Sequence, residues 1–210
     1  MIMNSIITIG RQYGSQGHAI GEKLAKELGI PFYDKEILAK ASKESGICQE
    51  LFEQNDERAS SSFFYSLVMD NSYLGYGANS NWEMHLGQKI FLAQFDSIKD
   101  IATKGACVIV GRCSDYVLEG YDNLVSVFIH ADLEYRTKVV MEREGLSEKK
   151  ALEHVMRTDK ERRSYYNYYT NNRWGDLNNY HLTIDSSIAG IDGCVDIIKE
   201  FVNVKENKNE

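Results

Sequence analysis

The sequence predicts an α/β protein: an open, mostly parallel, doubly wound sheet with flanking helices. Apolar strand-like runs alternate along the chain with helical periodicities, and parallel neighbours require crossover helices to connect them. Ala106-Cys107-Val108-Ile109-Val110 is an unbroken apolar run, the mark of a strand covered on both faces. At the start of the chain, Ile6 to Ile9 reads as a strand, Gly10 to Gly17 as a glycine-rich turn, and the residues beyond as a helix.

In order, Ile20, Leu24 and Leu28 recur at helical spacing and Gly29 stands as a C-cap. Pro31-Phe32-Tyr33 predicts a short second strand ending at Asp34, with a helix from about Lys35 to Ser45. Residues 57–84 change character, with Ser60-Ser61-Ser62 followed by aromatics among Asn and Gly, and are expected to be irregular or partly helical. A helix from about Leu86 to Lys104 is capped by Gly105, the apolar strand ends at Gly111-Arg112, and Leu124 to Ile129 makes another strand. A charged helix over Leu133–Glu144 and a second from Ser147 to about Tyr169 follow. His181 to Ile184 makes the last strand, Asp192 to Val202 the last helix, and Lys205 to Glu210 a frayed polar tail.

A chain of 210 residues supports one sizeable core, and 43% hydrophobic with 26% charged residues is ordinary for a globular protein. The net charge of −7 argues against a protein that coats nucleic acid, so an anionic ligand must be held by local positive charge. Cys48, Cys107, Cys113 and Cys194 form no C-x-x-C pair and have no histidine at ligand spacing, which predicts reduced thiols and no metal site. The first nine residues are too short and too polar for a signal peptide, and no apolar run approaches a membrane span, so a cytoplasmic protein without membrane partners is expected.

The turn has the chemistry of a phosphate cradle. Glycines let its N–H groups point inward, and the free N–H groups and dipole of the following helix favour an anion. The common phosphate loop, G-x-x-x-x-G-K-[ST], adds a lysine for the phosphates and a hydroxyl for magnesium. In one register Gly17 and His18 stand at those positions and in the other His18 and Ala19, so both registers lack them. A glycine-rich connection that only packs tightly is the competing reading. Since ligands of open α/β sheets bind at the carboxyl ends of the strands, Gly10 to His18, Asp34, Gly111-Arg112 and Asp185 are expected to converge on one site.

Arg157-Thr158-Asp159-Lys160-Glu161-Arg162-Arg163 packs four cations and two acids into one helical stretch. Such a run is either a solvated face or a set of guanidiniums for phosphate oxygens and a transferring phosphoryl group. With it, Ile7-Thr8-Ile9-Gly10-Arg11-Gln12-Tyr13-Gly14-Ser15, Ile30-Pro31-Phe32-Tyr33-Asp34-Lys35-Glu36, Gly111-Arg112-Cys113-Ser114-Asp115-Tyr116, Ser164-Tyr165-Tyr166 and Trp174-Gly175-Asp176 appear in order between about Ile6 and Phe201. In these motifs the chain closely resembles the cytidylate kinase-like family of P-loop proteins.

The resemblance implies a P-loop nucleoside triphosphate hydrolase-like fold and a single kinase-like domain over 1–210. Residues 57–84 would be a variable, acceptor-binding segment, and about 147–178 an arginine-rich helical lid. It also implies Mg2+ with ATP as co-substrate and a nucleotide or other phosphorylated small molecule as ligand. The family's loop commonly reads G-R-x-x-G-S-G-G-R; here Gln16 replaces one glycine and His18 that last arginine. By the same matching, Arg11, Gly14, Ser15, Gln16, Gly17, His18 and Ala19 would hold nucleotide phosphate. Asp34, Lys35, Lys40 and Arg112 would meet the acceptor, although Cys113 stands where an aspartate is usual. Arg157, Arg162 and Arg163 would act on the transferring group, and Asp185-Ser186 matches a strand end near the donor base.

Two functions follow. One is a cytidylate kinase-like phosphotransferase that moves a γ-phosphoryl group to a nucleoside monophosphate or similar small acceptor, with Arg11 or His18 standing in for the missing lysine. The other is a nucleotide-binding or sensing module that has lost catalysis. The tyrosines at 165, 166, 168 and 169 are expected to pack rather than to stack on a base, and His85, His130, His154 and His181 to be solvated or satisfied locally.

Overall fold

The computed structural model describes residues 4–54, 56–57 and 80–208, with the backbone alone at 54 and 80–86. Five strands, β1 (Ile6–Arg11), β2 (Phe32–Tyr33), β3 (Cys107–Val110), β4 (Leu124–His130) and β5 (Leu182–Asp185), form one sheet in the order β2-β3-β1-β4-β5. Every neighbouring pair is parallel, with Ile7 opposite Val108 on one side and Val125 on the other.

Alternation along the strands divides the core. Ile7, Ile9, Val108, Val110, Val125 and Val127 face α1 (Gly17–Leu28) and the last helix, where they meet Ile20, Leu24, Val195 and Ile198. Ile6, Cys107, Ile109 and Leu124 face the opposite way, onto Ile37 of α2 (Glu36–Ser45), Ile98 and Ile101 of α4 (Ser80–Ala102) and Val117 of α5 (Ser114–Val117). Helices thus cover both faces, which is why these strands read as continuous apolar runs. A short α3 (Gln49–Gln54) carries Phe52, fully buried against Leu38, Ala41 and Ile90. Beyond the sheet, α6 (Leu133–Glu144) and α7 (Glu148–Thr170) pack through Val140, Ala151 and Val155. A 3-10 turn at Leu177–Asn179 leads into β5, and α8 (Ser186–Lys208) closes the chain.

Several boundaries moved. The fourth helix begins at Ser80 rather than near Leu86, and α3 had no counterpart in the sequence pattern. Most of the segment expected to be irregular, residues 57–84, lies outside the described residues. The last helix begins at Ser186, not Asp192, and is interrupted at Gly190, whose φ of 65° with ψ of −179° breaks the helical path. The expected frayed tail is a correction: residues 205–208 continue the helix. Glu206 Oε1 accepts the N–H groups of Asn4 and Ser5, each at 3.0 Å, and Lys205 Nζ donates to the carbonyl of Leu124. Tertiary partners at the entrance to β1 hold a polar end that local composition leaves loose.

Candidate functional site

The loop from Gln12 to Gln16 leaves β1 at the carboxyl edge of the sheet, as predicted, and is anchored from beneath. The N–H of Gln12 donates to Ile129 O at 3.0 Å, and the Ser15 hydroxyl donates to Gln12 O at 2.8 Å and lies 3.1 Å from Ile129 O. Ser186 Oγ donates to Ser15 O at 2.8 Å, so the strand-end serine expected near a donor base props the loop instead. The Tyr13 N–H donates to Asp159 Oδ1 at 2.7 Å, while Arg136 Nη1 donates both to Tyr13 O at 3.2 Å and to Asp159 Oδ2 at 2.5 Å. This buried Arg136–Asp159 pair clamps the loop to α7. Gly14, at φ 79°, passes so close that a Cβ there would lie 2.6 Å from Arg136 O.

The anchoring uses the N–H groups of Gln12, Tyr13 and Ser15. The first-turn N–H groups of α1, at Gly17, His18 and Ala19, have no intrahelical acceptor. Gly14, Gln16, Gly17, His18 and Ala19 line a cleft of about 830 Å³ between the loop, the α2–α3 side and α7. Gln16 caps α1 in a left-handed conformation, φ 60°, and its amide donates to the Tyr135 hydroxyl. Ser15 is fully buried with its hydroxyl turned into the anchor, away from the cleft. Lys35 lies at the cleft wall and is exposed.

Helical geometry sorts the lid arginines. His154, Thr158, Glu161 and Arg162 line the cleft, at the spacing of one helix face, and Tyr165 continues that face into a small neighbouring cavity. Arg157 and Arg163 are exposed and line neither; Arg163 sits 6.0 Å over the Trp174 ring. Of the three arginines expected to act on a transferring group, only Arg162 is brought to the site. Lys40 is also elsewhere, paired with Glu44 and, at 2.9 Å, with Asp100 of α4.

The remaining cations meet carboxylates of the same chain. Arg112 is 2% exposed; its Nη1 donates to Asp34 Oδ1 at 2.6 Å and its Nη2 to Asp56 Oδ2 at 2.8 Å. Asp34 Oδ2 also meets His18 Nε2 at 3.2 Å. Burial alone would raise the Asp34 pKa, but the hydrogen bond from His18 and the charge of Arg112 hold it well below the usual carboxylate range. The same contact raises His18, against the opposing effect of its own partial burial. Asp56 is shifted upward, because burial outweighs the attraction of Arg112.

Glu57 occupies the centre of the group. Its Oε1 pairs with Arg11 Nη1 and accepts the Arg112 N–H at 3.0 Å, and its Oε2 accepts Arg162 Nε at 3.0 Å. Behind it lies a cavity of about 20 Å³, bounded by Gly111, Cys113, Asp115, Tyr165, Tyr166, Trp174 and Tyr180 among others. There Tyr166 donates to Asp115 Oδ2 at 2.7 Å, and burial pushes the Asp115 carboxyl up to about 6. Cys113 packs with Tyr165 and Tyr166, and burial raises its thiol well above the ordinary range, so it is an inert wall group. The two tyrosines pack as expected.

Sequence reasoning missed Asp56, Glu57, Asp115 and the Arg136–Asp159 clamp. Helical spacing puts Arg162 on one face with His154, Thr158 and Glu161, but the sequence does not say that this face meets the cleft. The acids at Asp56 and Glu57 carry no local signal, since their partners lie 46 to 105 positions away.

A five-stranded parallel sheet in this order, with a glycine-bearing loop leading from its central strand into a helix, is the α/β fold of P-loop kinases. The chain belongs to the cytidylate kinase-like family, whose model matches residues 6–188. Among solved structures, it is 32% identical to an uncharacterized protein from Eubacterium ventriosum, with a TM-score of 0.71 over 95% of this chain and 99% of that one. Shikimate kinase from Bacteroides thetaiotaomicron aligns over 95% of this chain and 98% of its own at 12% identity, with a TM-score of 0.52. A Thermus thermophilus protein aligns over 96% and 97% at 16% identity, with a TM-score of 0.55, and these last two likenesses concern the fold alone. Comparison with curated proteins finds no match. Among the described residues no helix is long and apolar enough to cross a membrane.

Proposed function

We propose that this protein is a phosphotransferase of the nucleoside monophosphate kinase kind. It moves the γ-phosphoryl group of a magnesium-bound nucleoside triphosphate, such as ATP, to a nucleoside monophosphate or similar small acceptor in the cytoplasm. Residues 1–210 act as one domain, with about 147–178 as its lid. The observation that carries this reading is the cleft of about 830 Å³ that joins the first turn of α1 to Arg162 across from it.

Phosphoryl transfer asks the protein for positioning and charge neutralisation rather than covalent chemistry. The N–H groups and dipole of α1 at Gly17, His18 and Ala19 hold phosphate oxygens. Arg162, with Arg11 beside it, neutralises the group in transfer, and Lys35 faces the acceptor. The guanidinium of Arg112 holds Asp34 and Asp56 in place and acts through them rather than on ligand. Among the described residues no cluster of three or more His, Cys, Asp or Glu side chains could cage a metal ion. Mg2+ would enter with the triphosphate and would supply charge neutralisation there.

Incubation with γ-labelled Mg-ATP and a panel of nucleoside monophosphates tests the reading. Label is expected on at least one acceptor, with CMP the first candidate. ATP binding without transfer to any of them favours the second reading, a nucleotide-binding or sensing module. That alternative rests on one observation: Arg11, Arg112 and Arg162 are all engaged by carboxylates of the chain itself.

A further inference from the structure

Glu57 is held in an unusual way for a connecting residue. Its backbone adopts φ 51°, a left-handed conformation that costs a non-glycine residue about 1 kcal/mol or more. It persists because the carboxylate is gripped by Arg11, by Arg162 Nε and by the Arg112 N–H. The receiving surface is shaped for an anion. Gly111, Arg112 and Cys113 are three successive residues of positive φ, at 75°, 54° and 55°, and this turn presents the Arg112 N–H to the carboxylate at 3.0 Å. Gly111 leaves the space in which the carboxylate lies, since a Cβ there would fall 2.0 Å from Glu57 Oε1.

The donors that hold the carboxylate also suit a phosphoryl group. Among the described residues Glu57 is the carboxylate that pairs with both Arg11 and Arg162, while Asp34 and Asp56 pair with the guanidinium of Arg112. Those two guanidiniums are close enough that Arg11 opposes the charge on buried Arg162. A phosphoryl group brings more oxygens than a carboxylate to the same donors, and guanidiniums suit phosphate oxygens by their forked geometry. Arg11, Glu57 and Arg162 all line the large cleft, so the position is open to a ligand arriving there.

We propose that Arg11, Arg162 and the Arg112 N–H form a phosphoryl-binding site, and that the Glu57 carboxylate occupies it as an internal stand-in which a phosphorylated ligand must displace. Glu57 is then an autoinhibitory contact that lowers the affinity of the free protein for phosphate groups. The inference deepens the phosphotransferase reading, but its test needs no turnover.

The probe is inorganic phosphate, titrated calorimetrically into the full chain and into Glu57→Gln, which keeps the shape and removes the charge. Phosphate is expected to bind the variant at least about tenfold more tightly than the parent. In phosphate-free buffer the variant should melt below the parent, because two cations lose their counter-charge, and phosphate should restore it by mass action. A folded variant with unchanged or weaker phosphate affinity, or a lowered melting temperature that phosphate does not restore, makes Glu57 a structural clasp only and overturns the proposal. If the variant does not fold, carbon NMR of the parent decides. The Glu57 carboxyl is expected to return towards an ordinary pKa at saturating phosphate, and a signal that does not move overturns the proposal. Tighter phosphate binding without phosphoryl transfer by parent or variant would sink the transferase reading alone; transfer by the parent without that gain would sink this inference alone.

Discussion

The first turn of α1 and the arginine group around Glu57 share one cleft but satisfy their charge in opposite ways. At α1 the donors are the first-turn backbone N–H groups of Gly17, His18 and Ala19, residues that line the cleft. In the arginine group the donors are guanidiniums, and each already has a carboxylate: Glu57 for Arg11 and Arg162, Asp34 and Asp56 for Arg112. A backbone cradle has no internal competitor, because its geometry keeps it from closing on itself. Long cationic side chains buried without ligand must find an anion within the protein, since an unpaired buried charge costs several kcal/mol. The cleft therefore combines backbone donors without an intrahelical acceptor with side-chain donors that are already paired.

Breaking the engaged side should have the largest effect. Arg112→Ala would leave Asp34 and Asp56 buried without their main partner, and the expected loss is about 3 to 5 kcal/mol of unfolding free energy, measured by urea denaturation. Arg112→Lys should recover little of it, because one ammonium cannot reproduce the fork to two carboxylates. A loss under about 1 kcal/mol for Arg112→Ala would make that pairing dispensable and weaken the contrast between the two sites.

The lid sharpens the comparison. If Arg162 acts on charge that develops during transfer, Arg162→Ala should lower kcat by about 10³-fold or more while ground-state nucleotide affinity changes far less. Arg157→Ala and Arg163→Ala should stay near the parent, since neither side chain lines the cleft. Single-turnover rates of the three variants check this, and an equal loss at Arg163 would contradict the assignment by helix face.

The smallest effect belongs to His18, where the two sites touch. Its contact with Asp34 raises its pKa above 6.5 in the folded protein. A raised pKa means that the contribution of the pair to stability is complete below about pH 6.5 and disappears as pH rises through the folded-state value. The ring is half exposed, so the gain is small. Proton NMR should show the elevated titration, and Asp34→Asn should bring it down; a titration unmoved by that substitution would detach His18 from Asp34.

Much of the architecture was legible because its signals are local. The run at 106–110, the helical spacing of Ile20, Leu24 and Leu28, and the cap at Gly29 all appear where the pattern put them. Gly14 and Gly17 lie where a Cβ would meet Arg136 O and the Arg11 side chain, the close packing that a glycine-rich connection predicts. Illegible were the functions of the charged residues. Arg157, Arg162 and Arg163 look equivalent in the sequence, and only the orientation of α7 distinguishes the one that faces the cleft. The tail at 205–208 looked loose because its partners, Ser5 and Leu124, are distant in the chain.

By itself, then, the sequence determined the doubly wound sheet, the glycine-rich loop at the end of its central strand and the family to which the chain belongs. Each follows from the hydrophobic period, turn chemistry and order of short motifs, all of which act over a few residues. Only the tertiary structure decided which cations remain available to a ligand. That outcome depends on pairs 46, 78 and 105 positions apart, Arg11 with Glu57, Arg112 with Asp34 and Arg162 with Glu57. Burial forces each charge to find the nearest opposite one in space, and spatial neighbours of that kind leave no periodicity along the chain.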